Sequence, residues 1–209
     1  MRKHIGDEPV PIRLAGRADT ERADAARNRR LLLSAAKTLI DNHGAAAVTM
    51  DAVAREAGVG KGTVFRRFGS RTGLMFALLD HTESELQQAY LSGPVPLGPG
   101  ADPLDRLLAY GRERLKLNLA QLDVLIEAGA DNGAFWNHPA MHAASQHIQI
   151  LLRQLGFTDP LDVTVVALLS PLGASALQQM TEVVGLDSET IITQWQRMVT
   201  SLVAGVRSH

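Results

Sequence analysis

The sequence has 209 residues, enough for one large domain or for a small domain joined to a larger one, and 45% of them are hydrophobic. It contains no cysteine, which excludes a disulfide framework and any cysteine-ligated zinc or redox site. The net charge of −1 hides an asymmetry, because residues 1–71 carry 14 Lys and Arg against 8 Asp and Glu, whereas residues 72–209 carry 7 against 14. A basic segment on an acidic chain indicates that a polyanion binds at one end.

The first twenty residues combine charged residues with two prolines and show no hydrophobic period, so we expect a flexible arm over residues 1–20. Arg13 and Arg17 could reach a DNA groove, but an arm without a fixed contact is the favoured interpretation. The arm lacks the apolar segment of a signal peptide, and Thr, Ser, Pro and Gly interrupt the longest apolar run, Val163–Leu177. We therefore expect a cytoplasmic protein without a membrane segment.

Four helices are predicted in the basic part of the chain, at about 21–43, 50–57, 61–68 and 71–90. Their ends follow from local signals. Gly44 occupies the position just past a helix C-terminus, and Thr49 and Ser70 are predicted N-caps of the second and fourth helices.

The segment "SGPVPLGPGAD" must form a loop, because it is rich in proline and glycine. Beyond it, five further helices are predicted, at about 103–119, 122–128, 139–155, 162–184 and 188–206. Pro171 lies inside the fourth of these and should kink it. No segment alternates clearly enough to be a strand, so the predicted fold class is all-α.

The stretch "AGVGKGTVFRRF", residues 57–68, could serve either of two phosphate-binding chemistries. A P-loop requires G-x-x-x-x-G-K-[ST] between a buried strand and a helix. With Gly60 and Lys61 as the G-K pair, Arg55 stands where the first glycine is needed and Gly62 where the hydroxyl is needed. The preceding residues also predict a helix rather than a strand, which argues against a nucleotide site.

A helix-turn-helix fits the same stretch at every position. Two helices that cross over a short turn need a small residue at their contact, a glycine in the turn and apolar residues that anchor the second helix. These are supplied, in order, by Ala54, Gly58, Val59, Val64 and Phe68. The arrangement leaves Lys61, Arg66 and Arg67 on the outside. An ordinary solvated helix face is the alternative, but the run of cations without an anion favours DNA binding.

The sequence of residues 28–79, with its order A-G-V-x-K-G-T followed by F-x-x-F-x-S-R, resembles the N-terminal DNA-binding region of the tetracycline-repressor (TetR) family of bacterial regulators. The resemblance implies an all-helical homodimer in which three N-terminal helices bind DNA. A fourth helix connects them to a larger helical domain, where a small ligand usually releases the DNA. The implied division is a DNA-binding domain at 21–69 and a regulatory and dimerisation domain at 70–209.

The resemblance also implies a set of DNA contacts. Thr49 matches a cap residue that meets a phosphate, and Arg71 stands for the usual phosphate-binding lysine. Phe65 replaces the usual tyrosine and retains only an apolar contact, such as one with a thymine methyl group. Arg67 replaces a common histidine, and arginine and lysine suit the acceptor edge of guanine. The predicted DNA-contacting residues are Thr49, Lys61, Thr63, Phe65, Arg66, Arg67 and Arg71.

Two stripes near the C-terminus could pair with a second copy of the chain to form a four-helix bundle. One stripe contains small residues that permit close approach, and the other lies on the last helix. The predicted dimer residues are Ser170, Gly173, Ala174 and Leu177 on the first stripe, and Ile192, Trp195, Val199 and Leu202 on the second. The alternative is that both stripes form an intrachain core.

Candidate ligand-binding residues are the polar, aromatic and methionine side chains Tyr110, Trp136, Met141, His142, Gln178 and Met180. Such residues at helical spacing also occur in ordinary cores. The pair His138 and His142 lacks a nearby carboxylate, so neither a metal site nor a cofactor is predicted. No G-x-S-x-G motif occurs, and we expect no catalytic activity.

Together these patterns predict a dimeric transcriptional regulator, most simply a repressor, whose partners are a double-stranded palindromic operator and a small-molecule effector. The alternative is a helical enzyme or a small-molecule carrier whose basic N-terminus is incidental.

Overall fold

The computed structural model describes residues 15–129, 139–158 and 160–207, and within these ranges the chain forms helices and no strand. The α-helices are α1 (Ala15–His43), α2 (Met50–Glu56), α3 (Lys61–Phe68), α4 (Arg71–Ser92), α5 (Pro103–Ala120), α6 (Leu122–Glu127), α7 (Pro139–Gln154), α8 (Asp162–Leu169), α9 (Ala174–Gln178) and α10 (Ser188–Arg207). The predicted all-α fold class is confirmed.

The predicted helix boundaries agree closely with the structure, except at the first helix and in the segment predicted as one helix at 162–184. The α3 helix has the predicted bounds, and Thr49 and Ser70 cap α2 and α4 as expected. However, α1 begins at Ala15, so residues 15–20 are helical rather than part of a flexible arm. The rest of the predicted arm, including Arg13, lies outside the described residues.

The helices surround two hydrophobic cores. The N-terminal core is formed by α1 to α3, the first half of α4 and a short 3-10 turn, Ala45–Ala47. It also contains residues from much later in the sequence: Val124 and Leu125 of α6, Ala128 and Ala174. The α6 helix therefore packs with the N-terminal helices, although it follows α5 in the chain.

The C-terminal core is formed by the end of α4 together with α5, α7, α8, α9 and α10. Its tightest contact joins α5 to α10. A Cβ atom at Gly111 would lie only 1.9 Å from a ring atom of Trp195, so this position requires a glycine. The Trp195 indole Nε1 donates a hydrogen bond of 3.1 Å to the carbonyl of Leu168, which fixes α8 against α10.

The helix predicted at 162–184 is interrupted. Pro171 lies in a 3-10 turn, Ser170–Leu172, between α8 and α9, which confirms the predicted kink, and a π-helical turn, Gln179–Val183, follows α9. The two halves of the segment are inclined by 47°. In the part of the chain that the structure describes, no single helix is long and apolar enough to cross a membrane, and only this bent pair meets that criterion when its halves are taken together.

Candidate nucleic-acid interface and regulatory core

The α2 and α3 helices are joined by a tight turn whose geometry depends on Gly58. Its φ of +66° lies in the left-handed region that favours glycine. The turn is closed by a 2.9 Å hydrogen bond from the amide of Val59 to the carbonyl of Ala54. At the start of α2, the Thr49 hydroxyl oxygen accepts a hydrogen bond of 3.0 Å from the amide of Ala52. Thr49 remains exposed, so it is available to a phosphate while it caps the helix.

One face of α3 is anchored and the opposite face is open. Val64 is fully buried in the N-terminal core, and Phe68 packs against the same core. Thr63 is half-buried, whereas four of the predicted DNA-contacting side chains are exposed: Lys61, Phe65, Arg66 and Arg67. Phe65 is a large apolar side chain that keeps 42% of its surface exposed. The open face is thus basic with one apolar ring.

Lys61 already has a partner on α2. Its Nζ lies 2.8 Å from the carboxylate of Asp51, and both side chains are more than half exposed. The same Nζ lies 5.6 Å from the centroid of the Phe65 ring, within cation–π range. Asp51 therefore places an anion on the face where the sequence predicts only cations, and this contact was missed because the two residues are ten positions apart.

Arg71 is held by the protein at the start of α4. Its Nε donates to the carbonyl of Val48 at 2.6 Å, and one terminal nitrogen donates to the carbonyl of Ala45 at 3.0 Å. The other terminal nitrogen pairs with Glu127 of α6 at 2.5 Å. The side chain is 32% exposed, so the predicted phosphate contact would have to compete with Glu127. Sequence spacing does not indicate this partner, because 56 residues separate the pair.

Of the predicted ligand-binding residues, Tyr110 and Met141 are buried in the C-terminal core, and Met180 packs against it. His142 is exposed, and Gln178 is half-buried and donates to Glu182 at 3.0 Å. Trp136 and His138 lie outside the described residues. The structure therefore brings only Tyr110, Met141 and Met180 into one core. The described residues contain no cluster of three or more potential metal ligands.

A ring cluster in the C-terminal core contains residues that sequence reasoning missed. His147 of α7 stacks on Tyr90 of α4, with centroids 4.3 Å apart and an angle of 19° between the planes. Tyr110 of α5 lies 5.6 Å from His147 and 5.7 Å from Tyr90. We refer to these three residues as the ring cluster. Burial, with a smaller effect of Tyr110, raises the pKa of Tyr90 to about 12, so this hydroxyl stays protonated.

An ion pair adjoins the ring cluster. The buried guanidinium of Arg114 pairs with both carboxylate oxygens of Glu83, and its Nε donates to the hydroxyl of Tyr110 at 3.3 Å. One residue earlier on α4, the hydroxyl of Thr82 lies 2.9 Å from the carbonyl of Leu79 and 3.2 Å from the side-chain oxygen of Gln121, which precedes α6, and either oxygen can accept its single proton. The ring cluster is therefore connected to α6 through α4.

A surface groove of about 550 Å³ lies on the outer side of α5. It is lined by the loop after α4, by α5 and by Gln196 of α10, and its charged residues are Asp105, Arg112 and Glu113. None of the predicted ligand-binding residues that the structure describes lines this groove.

The predicted dimer residues differ in how far they are exposed. Five are buried inside the subunit and have almost no surface left for a second copy: Ala174, Leu177, Ile192, Trp195 and Val199. Gly173 is half-buried, and only Ser170 and Leu202 are exposed. The α8 and α10 helices nevertheless carry other exposed apolar side chains, namely Val163, Val166 and Met198. The intrachain alternative applies to most of the stripe on α10.

Comparison with protein families identifies the N-terminal region. Residues 32–78 match the model of the family described as bacterial regulatory proteins, tetR family. The match covers the C-terminal part of α1, all of α2 and α3 with the turn between them, and the first part of α4, within the region whose sequence resembles that family. No curated protein matches the chain.

Two solved structures have the same fold over most of their length. A TetR-family transcriptional regulator from Pectobacterium atrosepticum has 21% identity and a TM-score of 0.62, with 88% of this chain and 96% of that chain covered. The TetR-family transcriptional repressor FadR from Thermus thermophilus, in complex with lauroyl-CoA, has 19% identity and a TM-score of 0.59, with 82% and 93% covered. At this identity the comparison shows a shared fold.

Proposed function

We propose that this chain is a helix-turn-helix transcriptional regulator of the tetR family. It is a repressor that binds a palindromic operator as a dimer and is released by a small-molecule effector. The main support is the exposed basic face of α3, anchored from behind by Val64. A helix of this kind enters the major groove, where arginine and lysine side chains meet base edges. Thr49 and Phe65 would add contacts beside it. A cytoplasmic location follows from this proposal.

A dimer would place two such helices in successive major grooves. We assign the dimer seam to the exposed apolar residues Val163 and Val166 of α8 and Met198 and Leu202 of α10. The hydrogen bond between Trp195 and Leu168 holds these two helices together. A second copy would cover this surface and fix the separation of the recognition helices.

Effector control requires two states that differ in operator affinity. We place the coupling at α6, because it packs in the N-terminal core while its preceding residue, Gln121, bonds to α4 beside the ring cluster. A ligand that moves α4 or α5 would shift α6, and with it the contact between Arg71 and Glu127. The lauroyl-CoA complex of the fold relative supports the expectation of a ligand in the C-terminal region.

The proposal is tested by selecting bound fragments from genomic DNA and titrating the recovered site at several salt concentrations. We expect a palindrome occupied by two chains, with affinity that falls steeply as salt rises. Arg66→Ala should weaken this binding, whereas Arg112→Ala, at an exposed cation on α5, should not. If no fragment is enriched, or if both variants behave alike, the alternative of an enzyme or carrier with an incidental basic N-terminus is favoured.

A further inference from the structure

The ring cluster contains a buried polar atom that the protein does not satisfy. His147 is only 6% exposed, yet within the described part of the chain no protein atom forms a hydrogen bond with its Nε2. Buried polar atoms in native proteins are almost always paired, since an unpaired one loses its contact with water without compensation. A hydrogen-bonding group of a bound ligand would supply the missing partner.

The charges around His147 do not cancel. On α4 and α5, the cation of Arg114 is neutralised by Glu83, with which it forms a two-point ion pair. Among the residues that the structure describes, Arg106, also on α5, donates only to backbone carbonyls, that of Tyr90 at 3.1 Å and that of Leu97 at 3.4 Å. This guanidinium contacts the backbone of Tyr90, whose ring stacks on His147, and its charge acts on His147. The three charged side chains together leave one net positive charge.

The protonation state of His147 agrees with this net positive charge. Burial and, to a smaller extent, the cation of Arg106 lower the pKa of His147 to about 4, so the imidazole is neutral at physiological pH. A positive potential that opposes a second cation favours an anion. The neutral imidazole can still donate a hydrogen bond from Nε2 to such an anion.

We propose that the ring cluster is the effector subsite and binds an amphipathic monocarboxylate, whose carboxylate meets His147 Nε2 and Arg106 while its apolar body lies in the C-terminal core. This inference rests on the proposed effector response of the chain. Arg106 and His147 would bind the carboxylate, and the rings of Tyr90 and Tyr110 would line the path of the apolar body. The apolar residues Leu107, Met141 and Ile148 belong to the same core.

The surface groove is a poorer site for an anion. Its single cation, Arg112, is accompanied by two carboxylates, Asp105 and Glu113, so its charge is net negative. Arg112 and Arg106 lie on the same helix, and only Arg106 adjoins the ring cluster. The two arginines therefore form a matched pair that separates the two sites.

The test uses 4-alkylbenzoates with ethyl to octyl tails and the corresponding neutral 4-alkylbenzamides, with affinity measured by calorimetry at pH 7. We expect the wild type to bind its best benzoate about tenfold or more tightly than the matching amide, as for a hydrogen bond to a charged group. Arg106→Gln should abolish this preference, and His147→Phe, which keeps a ring on Tyr90, should weaken benzoate binding. Arg112→Gln should retain the preference in full.

The proposal is overturned if no benzoate binds at millimolar concentration, if amides bind equally well, or if Arg112→Gln rather than Arg106→Gln loses the preference. Should His147→Phe fail to fold, His147→Gln, which keeps hydrogen-bonding groups, provides the comparison and should retain part of the affinity. Parallel titration of the genomic fragment separates this inference from the proposed function. Benzoate binding without any DNA binding would contradict only the latter, and DNA binding without benzoate binding only the former.

Discussion

Arg71 and Glu127 join the start of α4 to the end of α6 through an ion pair of 2.5 Å, and each side chain keeps about a third of its surface exposed. Arg71 also donates to the carbonyls of Ala45 and Val48, next to the first turn of α2. The same guanidinium is predicted to meet a DNA phosphate. Glu127 and the phosphate are therefore competitors for one cation, and the competitor lies on the helix that connects to the ring cluster.

Glu127→Gln should strengthen DNA binding, because it removes the competing negative charge and leaves Arg71 free to neutralise a phosphate. We expect higher affinity for operator and random DNA alike and a salt slope steeper by roughly 1. Asp123→Asn, at an exposed acid on the same helix, changes the net charge equally and is the control. An identical gain in both variants would show that only overall charge matters and that Arg71 does not reach the DNA.

Asp51→Asn should release Lys61 from its 2.8 Å ion pair on the open face of α3. The freed ammonium would contact DNA without first leaving a carboxylate, so the salt slope should again steepen by roughly 1. Glu56→Gln, at the far end of α2 and also exposed, is the matched control. If the slope for Asp51→Asn equals that of the control, Lys61 is not a phosphate ligand.

Arg67→Ala should weaken operator binding by about 1–3 kcal/mol and relax the preference at one base position, because a base contact carries sequence information. Binding to random DNA should change much less. Titrations of operator variants substituted at each position would locate the base. A loss of equal size on operator and random DNA would assign Arg67 to the phosphate backbone instead.

Leu202→Glu should shift the protein to monomer, because it places a charge in the proposed seam between two copies. The side chain is 39% exposed within one subunit, so we expect little effect on folding. Thr193→Glu, on an exposed part of α10, is the control and should remain dimeric. Light scattering and operator titration on the same samples measure both effects. A dimeric Leu202→Glu protein would exclude this seam.

Gly111→Ala should destabilise the subunit by about 1–3 kcal/mol, because the new methyl group would overlap the Trp195 ring. Trp195→Ala alone should cost about 3–5 kcal/mol, since it removes a large buried side chain. In the Trp195→Ala background, however, Gly111→Ala should cost much less, and urea denaturation of the four proteins measures this coupling. Additive losses would show that the two residues do not restrict each other.

Local signals in the sequence predicted most helices and the recognition helix. The cap residues Thr49 and Ser70 and the turn glycine Gly58 act within a few positions of themselves, so their effects are visible without a structure. Proline in the middle of an apolar segment likewise predicted the interruption at Pro171. The open basic face of α3 follows from spacing alone.

Contacts between distant residues could not be predicted in this way. The stripe containing Trp195 has the same spacing whether it faces a second copy or the subunit core. Gly111, against which the Trp195 ring packs in the core, lies 84 positions earlier in the sequence. The partners of Arg71 and Lys61 are likewise set by how α6 and α2 pack. A charged residue in a sequence indicates a possible partner, but only the packing shows which partner it has.

The N-terminal core has a consequence for how the molecule melts. Val124, Leu125, Ala128 and Ala174 belong to that core, although they follow the DNA-binding helices by more than fifty residues. A fragment that ends at Ser92 would lack these four residues, so the apolar surface that they cover on the N-terminal helices would be exposed to water and their contribution to stability would be lost. We therefore expect the DNA-binding helices and α6 to unfold together in a single thermal transition, so that α3 does not melt by itself.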